Sequence, residues 1–136
     1  MAASVLVDAG FLVALLVERD ANHRWAADLG PRLPLPWKTC EAALTETFHL
    51  LGAAGSLALA GVLSNRILIC DFDLNQQLDH VLTLLRKYAD VPISFADACL
   101  VRMTETNPDS ILYTTDSDFR IYRRHGRKVI PSIMPG

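Results

Sequence analysis

Ser4-Val5-Leu6-Val7-Asp8-Ala9-Gly10-Phe11-Leu12-Val13-Ala14-Leu15-Leu16 is the stretch that decides the fold. Val5 to Val7 is a short β-type run. From Phe11 onward the apolar residues Phe11, Leu12, Leu15 and Leu16 recur at helical spacing. One acid, Asp8, sits at the joint between them. Strand, carboxylate, helix is a unit that the rest of the chain can be searched for.

Outward from this stretch the pattern continues. His23 to Leu29 reads as a helix that stops at Gly30-Pro31. Pro34, Leu35, Pro36 and Trp37 form a stiff extended segment or short strand. Glu41 to Gly52 reads as a helix with Ala42, Leu44, Thr45, Phe48 and Leu51 as apolar bulk, and Ser56 to Leu63 as another short one. Ile67 to Cys70 is a strand. Asp73-Leu74-Asn75-Gln76 is a capping box ahead of a helix carrying Leu74, Leu78, Val81, Leu82 and Leu85. Ser94 caps a helix through Ala98, Leu100, Val101 and Met103. Ile111 to Thr114 is a strand, Phe119 to His125 a helical turn or two ending at Gly126, and Val129-Ile130 a final strand before Pro131. Strands separated by helices predict a parallel sheet in an α/β sandwich, with ligand sites beyond the carboxyl ends of the strands. No linker, repeat or low-complexity tract interrupts residues 1–136, which fit a single domain.

Composition narrows the class. Hydrophobic residues make up 51% and mean hydropathy is +0.23, apolar for a chain of 136 residues and suggestive of a surface covered by a partner or a second copy. No apolar run approaches the length of a membrane span, and Met1-Ala2-Ala3-Ser4 has no basic region leading an apolar stretch, so neither membrane insertion nor secretion is expected. Cys40, Cys70 and Cys99 are odd in number and far apart; they read as buried small hydrophobes in a reducing cytoplasm. Net charge is −2, but Arg120, Arg123, Arg124, Arg127 and Lys128 crowd one stretch. That cluster reads either as a solvated helix face or, because it comes directly after Asp116, as a phosphate-binding surface.

Four acids recur in apolar company: Asp8, Glu46 within Ala42-Ala43-Leu44-Thr45-Glu46-Thr47-Phe48, Asp97 within Ser94-Phe95-Ala96-Asp97-Ala98, and Asp116 after Ile111-Leu112-Tyr113-Thr114-Thr115. Each alone has an ordinary explanation. Asp8 and Asp116 can be N-caps. Asp97 completes a capping box with Ser94. Glu46 shares a helix face with Ala42 and His49, which can simply be solvated. Glu41 and Asp118 suit first-turn positions, and the Asp71/Asp73 pair is explained by capping. Jointly, four carboxylates at strand ends and on helices predict a shared pocket. Buried together they repel one another, and a hard divalent cation removes that repulsion. The histidines His23, His49, His80 and His125 lack ligand spacing, and there is no nucleophile elbow and no glycine-rich phosphate loop.

Taken in order, these blocks resemble the PIN-domain ribonucleases, in particular VapC-like toxins. Val7-Asp8-Ala9-Gly10-Phe11-Leu12-Val13-Ala14-Leu15-Leu16 is similar to their opening. Cys40 to Leu51 is similar to the second acidic block, Tyr88 to Ala98 to the third, and Thr114 to Arg120 to the fourth. The resemblance implies a three-layer α/β/α sandwich with a central, mainly parallel sheet. It also implies a metal-dependent endoribonuclease using Mg²⁺ or Mn²⁺. Asp8, Glu46, Asp97 and Asp116 match the acidic quartet, Asp118 is a fifth candidate ligand, and Thr115 matches a positioning hydroxyl. Arg120, Arg123 and Arg124 are candidate RNA contacts. An antitoxin and a homodimer are the implied partners. The chain departs from the family at Ala9, where Thr or Ser commonly stands after the first acid, which puts support of the neighbouring carboxylates in question.

Three other readings stand beside it, one of them a purely structural domain, which needs every acid to be a cap. A PIN-type module without activity would serve as a binding partner only. A receiver-like, Mg²⁺-dependent phosphoacceptor expects paired acids after the first strand and a lysine near the last; here Asp8 stands single and Lys128 runs directly into Val129-Ile130-Pro131.

Overall fold

The computed structural model describes residues 3–136. Strands β1 (Ser4–Val7), β2 (Trp37–Thr39), β3 (Leu68–Cys70), β4 (Ser110–Tyr113) and β7 (Ser132–Ile133) form one sheet in the order β3-β2-β1-β4-β7. Every pairing in it is parallel. The crossovers are α1 (Ala9–Leu16) with α2 (His23–Leu29), then α3 (Glu41–Ser64), then α4 (Leu74–Lys87) with α5 (Phe95–Thr106). The strand–helix alternation of the sequence therefore becomes the expected three-layer α/β/α sandwich.

Side-chain alternation along the central strands divides the core. Val5 and Val7 of β1 and Tyr113 of β4 face the layer of α1, α2 and α3, among Phe11, Leu12 and Trp37. Leu6 and Leu112 face the other way, toward Val81, Leu100, Met103 and Tyr122. A strand buried on both sides reads as a continuous apolar run, as Val5-Leu6-Val7 does. Phe11 packs edge-on against Trp25 and Trp37, with ring centroids 5.7 and 5.8 Å apart.

The structure corrects several boundaries. The two helices expected over 41–52 and 56–63 are one element, α3, broken at Gly52, whose φ of 70° only glycine adopts readily. By length and mean hydropathy (1.5) α3 is long and apolar enough to span a membrane, contrary to the expectation that no segment approaches this. The break at Gly52 and the acid at Glu46 divide it, and both halves reach the core, through Ala43 and Leu59. Phe119 to His125 is helical only at its first two residues. A single turn over Ser117–Arg120 leads into a hairpin of β5 (Arg123–Arg124) and β6 (Lys128–Val129), closed by His125 and Gly126 at positive φ. The basic cluster thus lies on a hairpin rather than a helix face. Val129 pairs within that hairpin, and the sheet's edge strand forms beyond Pro131 instead. Cys40 and Cys99 are buried as expected, but Cys70 is exposed.

Candidate active site

The site is built from two strand–helix joints side by side. Val7 and Tyr113 are register partners in adjacent parallel strands, so the next residues along, Asp8 and Thr114, emerge together at the carboxyl edge of the sheet. Asp8 is the N-cap of α1: its Oδ1 accepts from the Phe11 N–H at 2.9 Å. Its Oδ2 accepts from the hydroxyl of Thr114. Thr114 is fully buried, and its Oγ also accepts from the Asp116 N–H at 2.9 Å. Asp116 caps the turn over Ser117–Arg120, taking the Asp118 N–H on Oδ1 at 2.9 Å.

The capping explanations are therefore correct for Asp8 and Asp116, and do not compete with a site. Capping holds a carboxylate at the start of a helix, and in a parallel sheet the helix starts lie at the strands' carboxyl ends. At the third acid, only half of the expected box forms: Ser94 Oγ accepts the Asp97 N–H at 3.0 Å. The Asp97 carboxylate instead accepts from the Tyr122 hydroxyl at 3.4 Å through Oδ2. Glu46 comes from α3. The face it shares is Ala43, Glu46 and Leu50, not the expected one of Ala42 and His49; Ala42 lines a different depression, with Cys40 and Cys99.

All four acids line one pocket of about 260 Å³ between α1, α3 and α5. It runs along α1 past Ala9, Gly10 and Val13. Thr115 lines it, and so does Asp20, in the loop beyond α1. Asp118 does not line it.

Confinement raises two of the carboxyls, Asp8 and Asp97. Burial pushes the Asp8 carboxyl up to about 6; its bonds from Thr114 and Phe11 oppose this, while the charges of Asp116 and Glu46 add to it. Burial pushes Asp97 up to about 7, reinforced by Asp116 and Asp8, opposed by the Ser94 hydroxyl, with Glu46 adding the least. The electrostatic crowding expected from sequence is present. No three acidic, histidine or cysteine side chains among the described residues converge into a ready-made metal cage. The donors still suit a hard cation, since every candidate atom is a carboxylate oxygen, and Mg²⁺ is commonly held by one or two carboxylates with water and phosphate completing its shell.

Sequence reasoning misses three residues. Thr114 is the buried hydroxyl joining Asp8 to Asp116, whereas the expected one is its neighbour Thr115. Its sign in the sequence is a hydroxyl two residues before an acid at a strand end. Ala9 is buried and offers no hydroxyl, and Thr114 brings one to Asp8 from the neighbouring strand. Gly10 is required by packing: a Cβ there would overlap Thr115 Oγ1. Asp20 has no signal, because a loop acid gives none of where its loop folds.

The arginines separate. Arg120 is exposed. Arg123 Nη1 donates to the carbonyls of Arg120 (2.6 Å), Ile121 and Tyr122, and Arg124 Nη1 to those of Thr104 (3.0 Å) and Pro108.

Two solved structures share this architecture. Mycobacterium tuberculosis VapC20, described as a sarcin–ricin loop cleaving toxin, superposes with a TM-score of 0.76 at 24% identity, over 85% of this chain and 92% of that one. PAE2754 of Pyrobaculum aerophilum superposes with a TM-score of 0.57 at 25% identity, over 87% and 84%. No curated protein matches the chain. The PIN domain family model matches residues 5–124, which takes in all four acidic blocks. With its sequence matched over nearly its whole length and its acids gathered at the carboxyl edge of a parallel sheet, the chain belongs to the PIN domain family.

Proposed function

We propose that the protein is a Mg²⁺- or Mn²⁺-dependent endoribonuclease, the toxin of a toxin–antitoxin pair. The observation that carries this reading is the convergence of Asp8, Glu46, Asp97 and Asp116, from four distant segments, on one pocket. Asp8, Asp97 and Asp116 are the proposed cation ligands. Asp118 lies outside the pocket and is the weakest member of the set. A divalent cation held there would polarise the scissile phosphate and acidify an attacking water.

The protein's own groups then have separate tasks. Thr114 fixes Asp8 and the Asp116 backbone relative to each other. Tyr122 orients Asp97. Glu46, exposed at the pocket, is the proposed acceptor of a proton from the attacking water. Thr115 lines the pocket, and Arg120, exposed and four residues after Asp116, is the proposed phosphate contact. Arg123 and Arg124 retain their charge toward RNA, but each has a nitrogen committed to main-chain carbonyls. No protein nucleophile is required.

The likeness to a toxin that cleaves the sarcin–ricin loop makes structured RNA the first substrate to try. The deciding experiment is cleavage of structured RNA with and without Mn²⁺, using wild type, Asp8→Asn and Asp97→Asn. Cleavage that needs the metal and is lost in both variants is expected; cleavage unimpaired in both refutes the assignment. The inactive-module reading predicts no cleavage by the wild type.

Exposed apolar residues support the partner proposals. Leu50 beside the pocket is 57% exposed and Leu57, beyond the Gly52 break, 78%. An antitoxin segment over the first and a second copy over the second would bury them, in the cytoplasm where both RNA and antitoxin are made. Size-exclusion chromatography of the protein alone tests the dimer.

A further inference from the structure

We infer that the β5–β6 hairpin is a phosphate clamp that holds the RNA backbone as it leads away from the acidic pocket, through Arg120, Arg127 and Lys128. The inference rests on the endoribonuclease reading above and assigns the binding surface that reading needs.

The first observation is segregation of charge. Residues 1–118 contain all fifteen acids and eight of the thirteen lysines and arginines, a balance of −7. Residues 119–136 contain five cations and no acid, a balance of +5. A polyanion approaching the acidic pocket is repelled by most of the molecule, and the hairpin supplies the opposing field.

The second is how the hairpin is held. The Arg123 N–H donates to the Tyr88 hydroxyl at 2.8 Å. Arg124 Nη1 is fixed on the carbonyls of Thr104 and Pro108. The His125 N–H donates to Glu105 Oε2 at 2.6 Å, and Glu105 is itself paired with Arg102 at 3.1 Å. Lys87 donates to the Gly126 carbonyl. These ties use Arg123, Arg124 and Lys87 to anchor the hairpin on α4 and α5. Arg120, Arg127 and Lys128 are exposed, and among the described residues none of the three is in an ion pair.

The third is continuity with the pocket. The basic segment starts four residues after Asp116, and Tyr122, between Arg120 and Arg123, reaches Asp97. Tyr122 thus puts the start of the hairpin at the pocket, while its turn is tied to Thr104 and Glu105, the latter about 12 Å along α5 from Asp97, so the strand it holds leads away from the acids. The chemistry also says what the clamp reads. Its aromatic residues, Phe119 and Tyr122, are fully buried, and its exposed apolar groups are Ile121 and Val129. The one exposed ring is the His125 imidazole at the turn, so phosphate contacts from the three cations dominate the surface.

The test measures binding apart from cleavage. In the full-length Asp8→Asn protein, affinity for a fluorescein-labelled synthetic RNA stem–loop is followed by anisotropy from about 50 to 200 mM salt. Adding Arg127→Gln and Lys128→Gln is expected to weaken binding about tenfold and lower the salt slope by about two. Arg24→Gln, on α2, changes neither. Thermal unfolding confirms that the exposed substitutions leave the fold intact. Equal affinity and equal slope with and without the hairpin charges overturn the clamp, while wild-type cleavage in Mn²⁺ still upholds the nuclease reading. No binding by the Asp8→Asn protein together with no cleavage by the wild type overturns both.

Discussion

The joint after β1 and the joint after β4 begin from the same local chemistry and end differently. In each, a strand gives way to an aspartate that caps the next element, and the two strands are neighbours in register. Asp8 caps an eight-residue helix packed into the core and is 5% exposed. Asp116 caps a single turn and is only half-buried. Burial, above any other cause, pushes the Asp8 carboxyl up to about 6. The helix that Asp8 caps packs into the core and takes the carboxylate with it, whereas the single turn after Asp116 leaves that acid nearer the surface. Thr114 and the Gly10–Thr115 contact tie the joints together, so each can be broken separately.

The largest effect is expected at the buried joint. Asp8→Asn should lower RNA cleavage by more than about 10³-fold, and Asp116→Asn by less, because the first removes the more enclosed of the proposed ligands. Single-turnover assays in Mn²⁺ compare them, and equal losses would erase the distinction. In EDTA, Asp8→Asn should unfold at a higher temperature than wild type, since it removes a buried charge.

Cutting the bridge comes next. Thr114→Val keeps the shape and loses the hydroxyl, which should cost about 10- to 100-fold in activity or metal affinity. The lost bond had held the Asp8 carboxyl down, so the acid limb of the pH profile should move to higher pH, and Thr114→Ser should restore it. An unmoved limb would deny Thr114 this role.

Gly10→Ala should destabilise the fold by about 1–3 kcal/mol, because the new methyl meets Thr115 Oγ1. Thr115→Ala should recover much of that loss; additive effects in the double-mutant cycle would mean that the joints do not touch there.

The smaller effects concern pH and the margin of the site. Asp8 and Asp97 have folded pKa values of about 6 and 7, above an unfolded value near 3.8. Between these limits the folded state binds more protons than the unfolded state. Without metal, stability should therefore fall as pH rises from about 4 through 7, and level off above. Thermal melts in EDTA at pH 5 and pH 8 check the sign, and added Mn²⁺ should reverse the loss at pH 8. Asp118→Asn, outside the pocket, should change stability by no more than about 0.5 kcal/mol, with cleavage little altered. A large loss of cleavage would return Asp118 to the ligand set.

Much of the fold is legible in the chain before it folds. Helix α2 spans the expected His23 to Leu29, because Gly30-Pro31 ends it chemically. The strands at 4–7, 68–70 and 110–113 come from their apolar runs. The hairpin reads as a helix in sequence because Phe119, Tyr122 and the arginines fit helical spacing, and His125 gives no sign of its positive φ. Its conformation is fixed by bonds to Tyr88, Thr104 and Glu105, far away in sequence. The bond from Thr114 to Asp8 is not legible in sequence for lack of register: only the alignment of Val7 with Tyr113 decides which hydroxyl meets Asp8.

The sequence by itself determined the order of the elements, the parallel sandwich and the identity of the four acids, because periodicity, caps and breakers act over a few residues. Tertiary structure alone decided that Glu46 shares its helix face with Ala43 and Leu50, that Asp20 borders the same pocket, and that Arg124 anchors the hairpin. Those outcomes depend on strand register and on where loops come to rest, which are set by contacts between segments distant in the chain.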